Sequence, residues 1–91
     1  MAKAYPDRGH PHGPGGMAWF SVRGELLYPD AGHPDGVRQE PWFRIRGGFV
    51  YPAEGNPLRS AAPWFSMRGN RLYPDRGHPE GASEEPWFRI A

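Results

Sequence analysis

A chain of 91 residues with net charge +1 and no cysteine fits one domain and excludes disulfides, thiolate metal sites and a cysteine nucleophile. Its near-neutral balance gives no strong field toward nucleic acid or an acidic membrane surface. The 13 glycines and 12 prolines would suggest low complexity if they lacked a period, but aromatic residues make up 14% and recur in register with them, which disordered chains do not show.

The first predicted element is a short strand, Ala2 to Tyr5, with no partner in the sequence beside it. A loop follows, Tyr5-Pro-Asp-Arg-Gly-His-Pro11 and onward, and then a hairpin from Trp19 to Tyr28 with Arg23-Gly24-Glu25 near its middle. A second loop, Pro29-Asp-Ala-Gly-His-Pro-Asp-Gly36, leads to a second hairpin, Trp42 to Tyr51, with Arg46-Gly47-Gly48. The third runs from Trp64 to Tyr73 around Gly69-Asn70, and a last strand, Trp87 to Ile90, closes the chain. In the loops Pro fixes φ, Asp bonds to nearby backbone and Gly accepts left-handed geometry. No segment holds a helical period, so the chain reads as all-β.

The elements are copies of one another. The dipeptide Trp-Phe begins at Trp19, Trp42, Trp64 and Trp87, spaced by 23, 22 and 23 residues; Tyr-Pro begins at Tyr5, Tyr28, Tyr51 and Tyr73, spaced by 23, 23 and 22. Inside the chain each Trp precedes a Tyr by nine residues, and counting from Trp87 through Ala91 and on from Met1 to Tyr5 again gives nine. Self-similarity at a fixed period marks a repeat architecture. The chain reads as one domain, 1–91, of four units: 5–27, 28–50, 51–72, and 73–91 together with 1–4. The terminal strands are expected to pair and complete the fourth hairpin, giving a closed, propeller-like ring of four tandem hairpins of about 23 residues. An open solenoid is the alternative, but no distinctive polar capping repeat is present. Units one and three read Trp-Phe-Ser-(Val/Met)-Arg-Gly and units two and four Trp-Phe-Arg-Ile, so a two-fold period overlies the four-fold one.

If the strands pair symmetrically about a two-residue Arg-Gly loop, Trp64 faces Tyr73, Phe65 faces Leu72 and Ser66 faces Arg71. Alternation then puts Phe20, Val22, Leu27, Phe43, Ile45, Val50, Phe65, Met67, Leu72, Phe88, Ile90 and Ala4 on an apolar core face. Trp and Tyr fall on the opposite face as cross-strand aromatic pairs.

Hairpin units of this kind, carried by Trp64-Phe65, Gly69, Leu72-Tyr73, Gly77 and their counterparts, resemble the four-fold β-flower domain of bacterial proteins. The resemblance implies a fold and no defined activity. The Gly-His-Pro extension makes these repeats longer than that pattern.

Three constellations are candidates for chemistry. His10, His33 and His78 recur with Asp7, Asp30 and Asp75 in the motif Tyr-Pro-Asp-x-Gly-His-Pro, and three imidazoles brought to the axis of a ring would suit a transition metal. Asn56 stands at the fourth position. It is a poor zinc ligand but supplies the same turn hydrogen bond, which favours imidazoles that build turns. Trp19, Trp42, Trp64 and Trp87 with Tyr5, Tyr28, Tyr51 and Tyr73, beside the three Asp, form the second; flat aromatics next to polar groups suit a sugar, and the same rings would also seal the joints between repeats. Arg23, Arg46 and Arg68 beside the turns form the third. They suggest single-stranded nucleic acid, but the balancing acids make solvated turns the better reading and nucleic acid an unexpected partner.

No Ser–His–Asp order, paired-carboxylate site or glycine-rich phosphate loop stands out, and a near-symmetric array gives no asymmetric set of shifted groups for catalysis. The expectation is therefore a non-catalytic binding module without cofactor, with carbohydrate or another small polar ligand at repeated sites. The alternatives are a self-assembling homo-oligomer and a His-based metal protein. No apolar run approaches the roughly 20 residues of a membrane-spanning helix and no signal core is seen at the start, so a cytoplasmic, soluble protein is the default.

Overall fold

The strands are four residues long or shorter, and none could bury a face alone. In the computed structural model, which describes residues 2–58 and 61–91, they are β1 (Lys3–Pro6), β2 (Phe20–Arg23), β3 (Leu26–Pro29), β4 (Phe43–Arg46), β5 (Phe49–Pro52), β6 (Phe65–Arg68), β7 (Arg71–Pro74) and β8 (Phe88–Ile90). Each is hydrogen-bonded to its neighbours in chain order, and β8 to β1, so all eight make one closed antiparallel barrel. The chain is all-β and ring-closed, but the hairpins are not separate blades. The last residues of one pair with the first of the next, as in Leu26↔Arg44 and Leu27↔Phe43. A lone two-stranded hairpin is marginal in water and its unpaired edges are a liability; joining edge to edge removes both problems.

The fourth hairpin is built from the two ends of the chain. Ala4 pairs with Ile90, Tyr5 with Arg89 and Pro6 with Phe88, and beyond them Lys3 and Ala91 exchange two backbone hydrogen bonds of 2.9 Å.

The turns move the expected loop by one residue. In the third hairpin Arg68 pairs with Arg71, Met67 with Leu72 and Ser66 with Tyr73, so the two-residue loop is Gly69-Asn70 and not Arg68-Gly69. The reason is conformational. A two-residue hairpin loop needs positive φ at its first residue, and only glycine takes it here: Gly24 at 62°, Gly47 at 58° and Gly69 at 62°. In the second hairpin Gly48 is also positive, at 82°, the pattern of a type I′ turn; the other two have the glycine-first pattern of type II′. Moving the loop by one shifts each partner by two, so strand parity, and with it the core face, is unchanged.

An eight-stranded barrel has an interior just wide enough for side chains to fill. Here they stack in layers along the axis. Nearest the Arg-Gly turns lie the half-buried Val22, Ile45, Met67 and Ile90, then the buried Ala4, Leu27, Val50 and Leu72. Next comes a closed ring of four phenylalanines. Phe20 meets Phe43 at 5.4 Å, Phe43 meets Phe65 at 5.7 Å, Phe65 meets Phe88 at 5.8 Å and Phe88 meets Phe20 at 5.5 Å, with planes inclined by 75–79°. Edge-to-face pairs of this kind contribute about 0.5–1.5 kcal/mol each beyond the area they bury, and a four-fold ring lets every phenylalanine offer an edge to one neighbour and a face to the other.

Trp and Tyr do not form the expected cross-strand pairs. Tyr28 faces Ser21, Tyr51 faces Arg44, Tyr73 faces Ser66 and Tyr5 faces Arg89 on the outside of the barrel. Each Trp immediately precedes its strand, beyond the last ladder pair, and packs against the core cluster instead. The two-fold alternation in sequence is matched by how three of the four Tyr rings are covered. Where small Ser21 or Ser66 opposes the ring, Arg23 or Arg68 lies over it, at 4.4 and 4.3 Å from the ring centre. In the fourth hairpin Arg89 itself opposes Tyr5 and covers it at 5.3 Å. No helix among the described residues is long and apolar enough to cross a membrane.

Candidate functional site

The two ends of the barrel differ in chemistry. One end carries the short turns. The other carries the four long loops, and these are held in nearly identical form. The residue after each Tyr-Pro donates its amide to the preceding Trp carbonyl at 2.7 Å: Asp7 to Trp87, Asp30 to Trp19, Ala53 to Trp42, Asp75 to Trp64. Two residues on, a glycine amide bonds the chain just before the same Trp, as Gly9 does to Pro86 at 2.8 Å and Gly55 to Pro41 at 2.9 Å. The approach leaves no room for a side chain. A Cβ on Gly9, Gly32, Gly55 or Gly77 would lie 2.7, 2.7, 2.8 or 2.5 Å from a backbone oxygen.

The clamp positions the next residue, His or Asn, and in three loops the His enters the space between two tryptophans. His10 sits 4.4 Å from Trp19 and 5.0 Å from Trp87; His33 lies 5.4 Å from Trp19 and 4.4 Å from Trp42; His78 lies 5.2 Å from Trp64 and 4.4 Å from Trp87. All three are buried, as is Asn56. Their polar atoms are committed to the loop. Nδ1 of His10, His33 and His78 accepts from the amides of His12, Asp35 and Glu80 at 3.0–3.1 Å, and Asn56 Oδ1 accepts from Leu58 at 2.9 Å. The bond is to an amide, so the imidazoles are acceptors and therefore neutral, with the proton on Nε2. Burial favours that neutral form and lowers the pKa of all three, that of His10 to about 4 with the help of neighbouring His12 and His78. Among the described residues no three His, Asp or Glu side chains gather in a group that could hold a metal ion.

The aspartates serve the same loops. Asp7, Asp30 and Asp75 each accept the following residue's amide through Oδ1 at 2.7 Å. Lys3 lies 3.3 Å from Asp30 and Arg71 lies 3.5 Å from Asp7. The Ala31 amide, with Lys3, holds the Asp30 carboxyl below its ordinary range. The four Tyr stay on the outer wall, apart from the Trp, so the candidate aromatics divide into two sets.

Two of the concavities among the described residues hold tryptophans. One is a well at the loop end of the barrel axis, about 80 Å³, floored by the four Phe and rimmed by the four partly exposed Trp, with His33 and His78 in its wall. Its exposed lining is entirely apolar. The other is a cleft of about 490 Å³ where the second and third long loops meet, lined by Trp42 together with Asp35, Arg38, Gln39 and Glu40. Periodicity could not point to Arg38 and Gln39. Arg38 and Gln39 stand where the second loop departs from its counterparts, with Ser83 and Glu84 at the same places in the fourth, whereas Glu40 recurs there as Glu85. No protein family, curated protein or solved structure matches the chain.

Proposed function

We propose that the protein is a non-catalytic binding module that holds a carbohydrate in the cleft beside Trp42. The observation carrying this reading is the composition of the cleft. One indole, two carboxylates, a guanidinium and a carboxamide line a volume of about 490 Å³, within the range of small-molecule sites. A sugar ring presents an apolar C–H face, which an indole can cover, and a rim of hydroxyls. Asp35 and Glu40 can accept from those hydroxyls, Arg38 can donate to them, and Gln39 can do both.

Binding without chemistry is what the imidazoles support. Their Nδ1 atoms are engaged by amides, and Nε2 of His10 and His78 is buried, so these rings are poorly placed to take a proton from a ligand in the cleft. The loops differ in sequence at this point, so the cleft is one site and not one of four.

The test is a two-dimensional amide titration against a panel of mono- and disaccharides. Saturable shifts of the Trp42 indole and Gln39 side-chain resonances are expected with at least one sugar, and Gln39→Ala should weaken that sugar about fivefold, the equivalent of one lost hydrogen bond. Unmoved resonances across the panel at millimolar sugar would overturn the reading.

A further inference from the structure

The axial well is chemically unlike the cleft. Four indoles and four phenyl rings from all four repeats surround about 80 Å³. That lies between the roughly 30 Å³ share of one water in the liquid and the roughly 150 Å³ cavity that admits benzene, a space for a compact group of a few heavy atoms. Nothing in its exposed lining can donate or accept a hydrogen bond, so a hydrogen-bonding group placed there would be desolvated without compensation.

Charge narrows the choice further. Of the ten acidic residues, all but Glu25 belong to the long loops. Five of them have a base within 4 Å, Asp7 with Arg71, Asp30 with Lys3, Glu54 with Arg44, Asp75 with Arg76 and Glu85 with Arg8; among the described residues this leaves Asp35, Glu40, Glu80 and Glu84 against Arg38 as the loop charges outside those pairs. The loop end is thus acidic around an aromatic centre, and the histidines in the wall add no opposing charge because burial keeps them neutral. Anions are disfavoured by these acids and by the negative faces of aromatic rings.

One class of ligand meets all three conditions. A quaternary ammonium has no N–H to satisfy, spreads its charge over methyl groups that pack as hydrocarbon, and is attracted by aromatic faces. We infer that the axial well is a binding site for the trimethylammonium head group of a small molecule, separate from the cleft beside Trp42.

Choline and its neutral carbon isostere, with a quaternary carbon in place of nitrogen, test this at matched ionic strength by tryptophan fluorescence and aromatic NMR. Choline should bind saturably, moving Trp and Phe signals but not the Gln39 side chain, and roughly five- to thirty-fold more tightly than the isostere. Replacing all four Trp by fluorinated Trp, which keeps the shape but weakens the ring's negative face, should lower choline affinity while the amide spectrum shows the barrel intact. Phosphatidylcholine vesicles distinguish the source of the head group: co-sedimentation would point to lipid, and choline binding without it to a free solute. Equal affinity for the isostere, no saturable response to choline, or an affinity indifferent to fluorination would each overturn the inference.

Discussion

Asn56 explains the histidines. It fills in the third loop the position that His10, His33 and His78 fill in the others, it is as buried, and its Oδ1 takes the same amide hydrogen bond two residues on. The sequence showed this equivalence, because Asn56 stands at the same place in the repeat. It could not show that each imidazole is wedged between two tryptophans, since those rings reach it from different hairpins across the closed sheet. The wedge makes the histidines an acid-sensitive element. Their pKa values are lowered by folding, so the unfolded chain binds protons more readily than the folded one. Their contribution is complete above the ordinary imidazole value of 6.5 and is lost as pH falls through it toward about 4, the value of His10. For His10 alone that amounts to roughly 3 kcal/mol, at about 1.4 kcal/mol per pH unit. The triple variant His10→Asn, His33→Asn, His78→Asn should fold at neutral pH and lose most of the decline in urea midpoint between pH 6.5 and 4. A wild-type midpoint that is flat over that interval would contradict the assignment.

At the scale of the hairpin and its loops, glycine does two different jobs. Gly48 is glycine because of its backbone, with φ at 82° and open space where a Cβ would go. Gly77 is glycine because of its neighbours, with a Cβ position 2.5 Å from the Ala62 oxygen and 2.6 Å from the Pro63 oxygen. Gly48→Ala should therefore cost about 1–2 kcal/mol, the strain of left-handed geometry, while Gly77→Ala should cost more, because the backbone clamp on Trp64 has to open. Gly47→Asn should be nearly neutral, since Asn tolerates the left-handed region. Urea midpoints at constant slope give this order directly; equal losses for Gly48→Ala and Gly77→Ala would show that close approach is not what fixes Gly77. The same distinction explains what was misread in the sequence. Placing Arg68 in the turn centred the hairpin on its Trp–Tyr pair, but it required positive φ at an arginine. The Gly69-Asn70 loop requires it only at glycine, a rule already present in the residues. The Trp–Tyr pairing failed with it, because each Trp lies past the end of the ladder and strand alternation does not govern it.

Closure is the property of the whole molecule that the sequence stated most directly, through the nine-residue count carried across the two termini. What it left open was whether the hairpins stand as separate blades or join. Strands of four residues settle that physically, because only shared edges give such short elements enough partners. β1 is consequently held from both sides, paired to β2 through Ala4↔Phe20 and to β8 through Pro6↔Phe88. Deleting residues 1–6 would leave two edges unpaired and uncover two of the four ring phenylalanines at once. For a domain whose total stability is of the order of 0.05–0.15 kcal/mol per residue, that loss is comparable with the whole, and the truncated chain should lose its dispersed amide spectrum. Joining Ala91 to Met1 and opening the chain between Gly47 and Gly48 removes no strand and breaks no ladder pair. Lys3 and Ala91 already exchange hydrogen bonds, so the new connection closes a hairpin that exists in the parent. The permutant should keep the parent spectrum and melt within roughly 4–8 °C of it, the shift that 1 kcal/mol produces in a domain of this size. A permutant that fails to fold, or a deletion that leaves the melting temperature unchanged, would show that the ring is not the cooperative unit.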